Sequence, residues 1–427
     1  MTRPDSSPRP ARPSSGRLAP RLAILLVGLA LAGCDRPEGH ALVVATPWPE
    51  GDRRAIEEDY RLAAPQGVGI AWIALAPGDD PARLLPGLGI DVVLGVPAAA
   101  LDQLATAGAL EPVDPEATTG RPWRVARRAS LGLAVAEGSG IAGPTLLGGD
   151  RSDRVALDDP RLDPVSLAWA KSRIDGPGRW GPGYAELVAT AARSVRIGPA
   201  GSAAMRVAGG VASAAPTIGT AGSLDERTSL IPVAGAGPVV EGVAIVRGAP
   251  RSAEARELLT ALAARGEATP VDDSISEVDP VAVIADSLLA DLLGSTLVDA
   301  QDELWEAEAA LESTGRPPLL VGYLADSPPW PPTSVAKLQD DPARLALVDT
   351  LARELVPDAE ARKWVRGSWE RPSRSIDAAW LREVAGAAGG TLAAEPRFRA
   401  WLRGEWTAWA RQHYRRIARE AKKAPSP

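Results

Sequence analysis

Apolar residues fall along this chain in short unbroken runs set between stretches of helical periodicity. Ala41 to Ala45, Val68 to Leu75 and Asp91 to Val96 are runs of strand length, the pattern of strands covered on both faces. Between them, Ile56, Tyr60 and Ala63 recur on one helical face after a candidate cap at Asp52. Pro97 opens a second helix whose Leu101, Leu104 and Ala105 face inward, with Gly108 as its stop. Strand, helix, strand, helix, strand predicts a parallel sheet with right-handed crossovers.

A Gly-rich break from Glu137 to Gly149 precedes a second α/β stretch. Arg154 to Leu157 and Val195 to Gly198 read as strands, Pro164 to Ile174 and Tyr184 to Val195 as helices, and Ala203 to Val207 as a short helix behind Gly201-Ser202. Val239 to Val246 is a further strand, followed by a helix over Ser252 to Arg265 with Ala255, Leu258, Leu259, Leu262 and Ala263 on its apolar face and Gly266 as its end. Beyond about residue 280 the character turns helix-rich and holds eight of the thirteen tryptophans, interrupted by Pro317-Pro318 and by the run from Pro328 to Pro332.

At 427 residues with 45% hydrophobic content the chain has material for two to three globular units. A formal net charge of -7 argues against attraction to nucleic acid. Cys34 is the single cysteine, which excludes an intramolecular disulfide and a cysteine metal cluster. Its setting explains it: Arg17 and Arg21, an apolar run from Leu22 to Ala32, then Leu31-Ala32-Gly33-Cys34. A charged start, a short apolar segment and small residues before a cut describe an export signal. Leu-Ala-Gly-Cys is similar to the bacterial lipobox, which implies acylation of Cys34. The plainer alternative is a free cysteine after an ordinary signal or an uncleaved anchor. Residues 1–33 are then leader, with a Pro- and Arg-rich extension, and residues 34–40 a tether.

Three stretches between residues 41 and about 266 carry a further resemblance: the first strand running into Thr46-Pro47-Trp48; Asp91 to Pro97, followed by Leu101 to Leu110 and Glu111-Pro112-Val113; and Gly237 to Ala249 with the helix after it. Together they resemble bacterial extracellular solute-binding proteins of the two-lobed kind that includes iron, thiamine and anion binders. The resemblance implies an α/β domain over residues 41–270, with one lobe built from about 41–135 and 245–270 and the other from about 136–244, followed by a helical, Trp-rich region over 280–427. It implies a lipid-anchored extracytoplasmic protein that passes a small polar or anionic solute to an ABC-type importer, with the importer's permease as partner. The sequence holds no Walker loop, nucleotide-binding glycine fingerprint or serine-hydrolase elbow, so no catalysis and no cofactor are expected. Iron carriers of that kind use paired tyrosines, whereas Tyr60, Tyr184, Tyr323 and Tyr414 are isolated here, Tyr60 and Tyr184 reading as core residues. A member of another class fits too: an envelope structural or partner-binding lipoprotein that keeps the fold without transport.

Ligands of open α/β sheets sit beyond the carboxyl ends of strands. That rule selects Thr46 and Trp48 after the first strand, Gly95 and Val96 at the third, and Gly201, Ser202 and Arg206 at the short helix. Trp48 reads equally as a stacking platform or as a cover for the sheet edge, and Ser202 equally as a donor or as an ordinary helix cap. His40 and His413 are the only histidines, so histidine-based zinc sites and catalytic triads are excluded. The pairs Asp79-Asp80, Asp158-Asp159, Asp272-Asp273 and Asp340-Asp341 read as solvated turns. The segment from Pro396 onward, with Trp401, Trp406 and Trp409 amid arginines, is either a core helix with a solvated cationic side or a membrane-interface helix, the former favoured.

Overall fold

The computed structural model describes residues 41–48, 50–63, 68–75, 85, 88–113, 121–141, 154–175, 178–199, 201–219, 227–233, 236, 239–265, 268–271, 279–314 and 326–423. The leader, Cys34 and the tether lie outside them. The chain runs through β1 (Ala41–Thr46), α1 (Glu50–Ala63), β2 (Gly69–Ala74), β3 (Val92–Pro97), α2 (Ala98–Thr106), β4 (Leu110–Glu111) and β5 (Trp123–Ala136). It continues through α3 (Pro164–Ile174), α4 (Trp180–Arg193), α5 (Ser202–Ala208), β6 (Ala214–Gly219), β7 (Thr228–Pro232), β8 (Val239–Val246) and α6 (Ser252–Ala264).

The first three runs form strands as their composition predicts, with β1 parallel to both β2 and β3. The sheet is mixed rather than all parallel, because β8 joins β3 in antiparallel register and β5 joins β8 the same way. Alternate residues of β3 feed opposite faces: Val92 and Leu94 pack with Leu42, Val44, Leu258 and Leu262, while Val93 and Val96 pack with Leu101, Leu104 and Trp123. That two-sided burial is why no polar alternation marks β3 in the sequence, whereas β2, at the sheet edge, is apolar yet half-buried to exposed.

β5 is the element that organises the domain. Its first half, Trp123–Ala129, pairs with β8, and its second half, Ser130–Ala136, pairs with β6 and β7. The eight strands thus form one hydrogen-bonded path, β2-β1-β3-β8-β5-β6 with β4 on β8 and β7 on β5, which divides along β5 into a first and a second sheet. All of β8 lies in the first sheet, so the chain returns there between residues 232 and 239, ahead of the position near 245 expected from the sequence. The outward crossing falls within β5 near residues 129 and 130, ahead of residue 135. A crossing inside a continuous strand leaves no turn residues to mark it. The segments expected as strands at 154–157 and 195–198 make only bridges: Val155 with Ser194 and Ala214, and Asp158 with Gly198. α4 starts at Trp180, ahead of the Tyr184 expected, through Gly181-Pro182-Gly183.

Among the described residues from 279 onward, helices alternate with one two-residue ladder: α7 (Pro280–Leu293), a π-helical turn (Gly294–Val298), α8 (Gln301–Glu312), β9 (Pro329–Trp330), α9 (Thr333–Gln339), α10 (Leu345–Leu355), α11 (Ala359–Trp369), β10 (Arg374–Ser375), α12 (Ala378–Gly386), α13 (Thr391–Ala394) and α14 (Pro396–Lys423). Asp279, Asp358 and Asp377 cap α7, α11 and α12 through their carboxylates, satisfying backbone donors that a helix start leaves open. Pro280–Val298 is long and apolar enough to cross a membrane, yet here it is core, packed against α12 and α14.

These helices share one core with the second sheet: Leu133, Trp169 and Tyr184 belong to the same buried cluster as Leu288, Leu304, Trp380 and Trp406. Polar ties reinforce the junction. Gln301 accepts from Ile197 N at 3.0 Å and donates to Ser194 Oγ at 3.0 Å. Arg161 bridges Asp159 at 2.7 Å and Asp299 at 2.8 Å, and Lys171 reaches Asp286 at 2.6 Å. Tyr184, wholly buried, donates to Thr296 at 3.2 Å, and burial pushes its phenol up to about 12. In α14, Trp406 is core and Trp401 and Trp409 pack against it, while Arg399 pairs with Asp291 and Arg415 with Glu303. The helix is thus a packed one, with Arg399, Arg403, Arg411, Arg415 and Lys422 reaching acidic residues of neighbouring helices.

Candidate functional site

The carboxyl ends of β1 and β3 meet β5, β8 and the start of α1. Thr46, wholly buried, accepts the Trp48 backbone N–H at 3.1 Å, which turns the chain back over the sheet. Trp48 then lies flat against Gly95. A Cβ on Gly95 would overlap the indole, and its φ of +74° suits glycine at the irregularity where the register slips between Leu94 and Val96. The Trp48 Nε1–H donates to Glu241 Oε2 at 2.7 Å.

The same Glu241 oxygen accepts from Arg127 Nε at 2.9 Å. The Arg127 guanidinium lies over the Trp48 ring, 4.5 Å from its centroid, and its Nη1 reaches Asp52 in the first turn of α1 at 3.2 Å. Glu241 is buried, whereas Arg127 keeps 35% of its side chain exposed and Asp52 44%. Burial of Glu241 requires such pairing, since an unpartnered carboxylate there would cost several kcal/mol. The outer contact, to half-exposed Asp52, is the weaker one. Arg127 also sits on β5 just before the point where that strand passes from one sheet to the other.

Of the residues selected from sequence, Thr46, Trp48 and Gly95 come together here, and Val96 turns into the core beside Leu101. Between the two expectations for Trp48, the indole covers the sheet ends and its exposed partner is Arg127. Gly201, Ser202 and Arg206 form a second cluster. Gly201 takes the left-handed conformation, with φ +74°, ahead of α5. Asp158 accepts from Ser202 Oγ at 2.5 Å and from Ala203 N at 3.0 Å, so a carboxylate of this chain already occupies the helix start. Arg206 donates to the Arg196 carbonyl. The first cluster's partners lie on β5, β8 and α1, and those of the second are the Asp158 carboxylate and the Arg196 carbonyl, both outside the strands.

Asp158 and Asp159 are buried, at 3% and 7% exposure. This corrects their expected place in a solvated turn: one caps α5 and the other receives Arg161. Burial pushes the Asp158 carboxyl above its ordinary value, against the opposing hydrogen bonds of Ser202 and Ala203 and the charge of Arg206. Arg127, Glu241, Asp52 and Asp158 were not selected from the sequence. Glu241 was legible as the one charge inside the apolar run Val239–Val246; nothing local marks Arg127. Among the described residues no group of three His, Cys, Asp or Glu side chains is arranged to hold a metal ion.

No family model matches the chain and no curated protein does. Among solved structures it is similar to the periplasmic molybdate-binding protein of Azotobacter vinelandii, at 16% identity and a TM-score of 0.42 over 55% of this chain and 100% of that one. It is similar to the iron-bound protein HitA of Pseudomonas aeruginosa, at 16% identity and a TM-score of 0.40 over 57% and 89%. A third is the periplasmic binding protein AfuA of Actinobacillus pleuropneumoniae with fructose-6-phosphate bound, at 15% identity and a TM-score of 0.42 over 56% and 88%. All three are binding proteins. At these scores the likeness is one of fold class and carries nothing further.

Proposed function

We propose that this protein is a lipid-anchored, extracytoplasmic solute-binding protein that hands a small polar or anionic solute to an ABC-type importer. The observation that carries this is β5: two sheets with separate cores hang on one continuous strand and on the return into β8. That is the mechanical arrangement of a hinge, with strand ends opening beside it. Thr46, Trp48 and Gly95 form the first wall, with Val96 behind it in the core, Arg127 is its charged group, and Gly201, Ser202 and Arg206 belong to the second. A solute oxyanion competes with Asp52 for the outer edge of Arg127 while Glu241 and Trp48 hold the inner edge in place. The export signal and Cys34 supply the location, on the outer side of the cytoplasmic membrane.

Thermal unfolding of the purified chain against phosphate, molybdate, carboxylates, sugar phosphates and divalent metals tests this. A true ligand at about a hundred times its dissociation constant adds about 2.7 kcal/mol. Stabilisation by one class, lost in Arg127→Ala, supports the proposal; no stabilisation across the panel contradicts it. A second reading, an envelope lipoprotein that keeps the fold without transport, is favoured by one observation: Asp158 fills the donors at the start of α5. A flat panel is the result it expects.

A further inference from the structure

Among the described residues, the first sheet and its helices expose two large apolar side chains, Leu62 at 84% and Leu88 at 41%. Both lie at the base of the sheet, opposite the carboxyl ends of β1 and β3. The register fixes that base. Ala41 pairs with Gly69 at the start of β2, and Val92 of β3 stands level with Val44, so Leu88, four residues earlier, falls near the start of β1. α1 links the last residue of β1 to the first of β2 and therefore runs from the strand ends down to this base, bringing Arg61 and Leu62 there in its last turn. Tyr60 in the same turn feels the charges of Glu254 and Arg251 at the start of α6, and the Arg251 N–H donates to Asp91, beside β3, at 3.3 Å. Arg247, exposed, follows the end of β8, its N–H donating to the Ala109 carbonyl at 2.8 Å.

Two exposed leucines and two exposed arginines thus share one end of the sheet, Arg61 keeping 70% of its side chain open. Aliphatic groups beside guanidiniums suit a membrane interface, the former entering the acyl boundary and the latter taking headgroup phosphates. The chain that enters this end indicates what covers it. β1 begins at the base with Ala41, seven residues after Cys34, the expected site of acylation. Fully extended, seven residues reach at most about 25 Å, which keeps the base within that distance of the bilayer. Two leucines bury too little area to hold a protein on a membrane unaided, so the lipid supplies the affinity and this face the orientation.

We propose that the base of the first sheet rests on the bilayer that holds the Cys34 lipid, with Leu62 and Leu88 in the interface and Arg61 and Arg247 on lipid phosphates. The contact rests on the lipid anchor proposed above, and it turns the strand-end site away from the membrane, open to incoming solute. The test uses the full chain, purified with its lipid and reconstituted in phosphatidylethanolamine and phosphatidylglycerol vesicles doped with a lipid that carries a nitroxide on its headgroup. Cys34 is the only natural cysteine and is acylated in this material, so a fluorophore goes to one introduced thiol: Leu62→Cys, Leu88→Cys or, as control, Glu50→Cys. Glu50 is exposed at the other end of α1, about 18 Å along the helix from Leu62. Fluorescence at the two leucine positions should be quenched several-fold more than at the control. Arg61→Glu with Arg247→Glu should remove most of that difference, because it turns attraction at an anionic surface into repulsion. Arg127→Ala should leave it unchanged, which separates this face from the strand-end site. Equal quenching at all three positions overturns the proposal. So does shielding of the leucine positions that grows with the protein-to-lipid ratio, which would put a second copy of the chain on this face. A chain that fails to float with the vesicles contradicts the lipid anchor and this contact with it, whereas a floating chain without the quenching pattern contradicts this contact alone.

Discussion

At the scale of single residues, the strand-end cluster depends on close approach and on paired charge. Gly95→Ala puts a methyl group into the Trp48 indole at a positive φ. Strain of this kind costs about 1–3 kcal/mol, and overpacking a similar amount. Urea denaturation should therefore show a loss of about 2 kcal/mol or more, and an unchanged midpoint would refute the packing described. Asp158 offers a test by pH. Its carboxyl titrates higher in the folded chain than in the unfolded one, so it contributes stability at pH below its unfolded value, near 3.9, and that contribution is lost as pH rises through the folded value. The melting temperature of the natural chain minus that of Asp158→Asn should fall as pH is raised from about 3.5 to about 7, a range that spans ordinary carboxylate titration. A difference that rises with pH would contradict the burial of this group.

At the scale of elements, what was legible followed from unbroken apolar runs and helical spacing. β1, β2, β3 and β8 announce themselves as apolar runs, and α3 and α6 by their spacing and caps. β5 does not, because Arg124, Arg127 and Arg128 interrupt its first half and Ser130 and Gly132 its second. Of those arginines, Arg127 carries its charge to the strand-end cluster beside the junction of the sheets. β6 and β7 are missed for a related reason: Ala214-Ala215-Pro216 and Thr228–Pro232 hold few large apolar side chains. The cluster of Arg127, Glu241 and Trp48 was hidden because its members are separated by 114 and 193 residues, and only the sheet register joins them. The attachment of the helices to the second sheet is testable at Gln301. Gln301→Ala leaves the buried Ile197 N–H without its acceptor, which should cost about 1–3 kcal/mol. Chemical denaturation would show it, and a neutral result would mean that the junction is looser than described.

At the scale of the whole molecule, the buried clusters divide the chain unequally. The first sheet with α1, α2 and α6 has its own cores, whereas the second sheet and all the helices after residue 279 share one. The helical region is therefore a buttress of the second sheet, and the joints left to flex are β5 near residues 129 and 130 and the return ahead of β8. Trp406→Ala, at the centre of the shared core, should cost about 3–5 kcal/mol and lower the stability of the second sheet together with the helices, seen as joint loss of hydrogen-exchange protection in β6 and α14. Loss confined to α14 would show two independent units. The central claim, that the two sheets close on a small solute, is tested most directly by the distance between spin labels at Leu62 on α1 and Met205 on α5, both exposed, at 84% and 69%. In a chain carrying Cys34→Ser, Leu62→Cys and Met205→Cys, the interlabel distance should shorten when the solute that stabilises the chain in the thermal panel is added. A distance distribution unchanged at saturating solute would contradict the account.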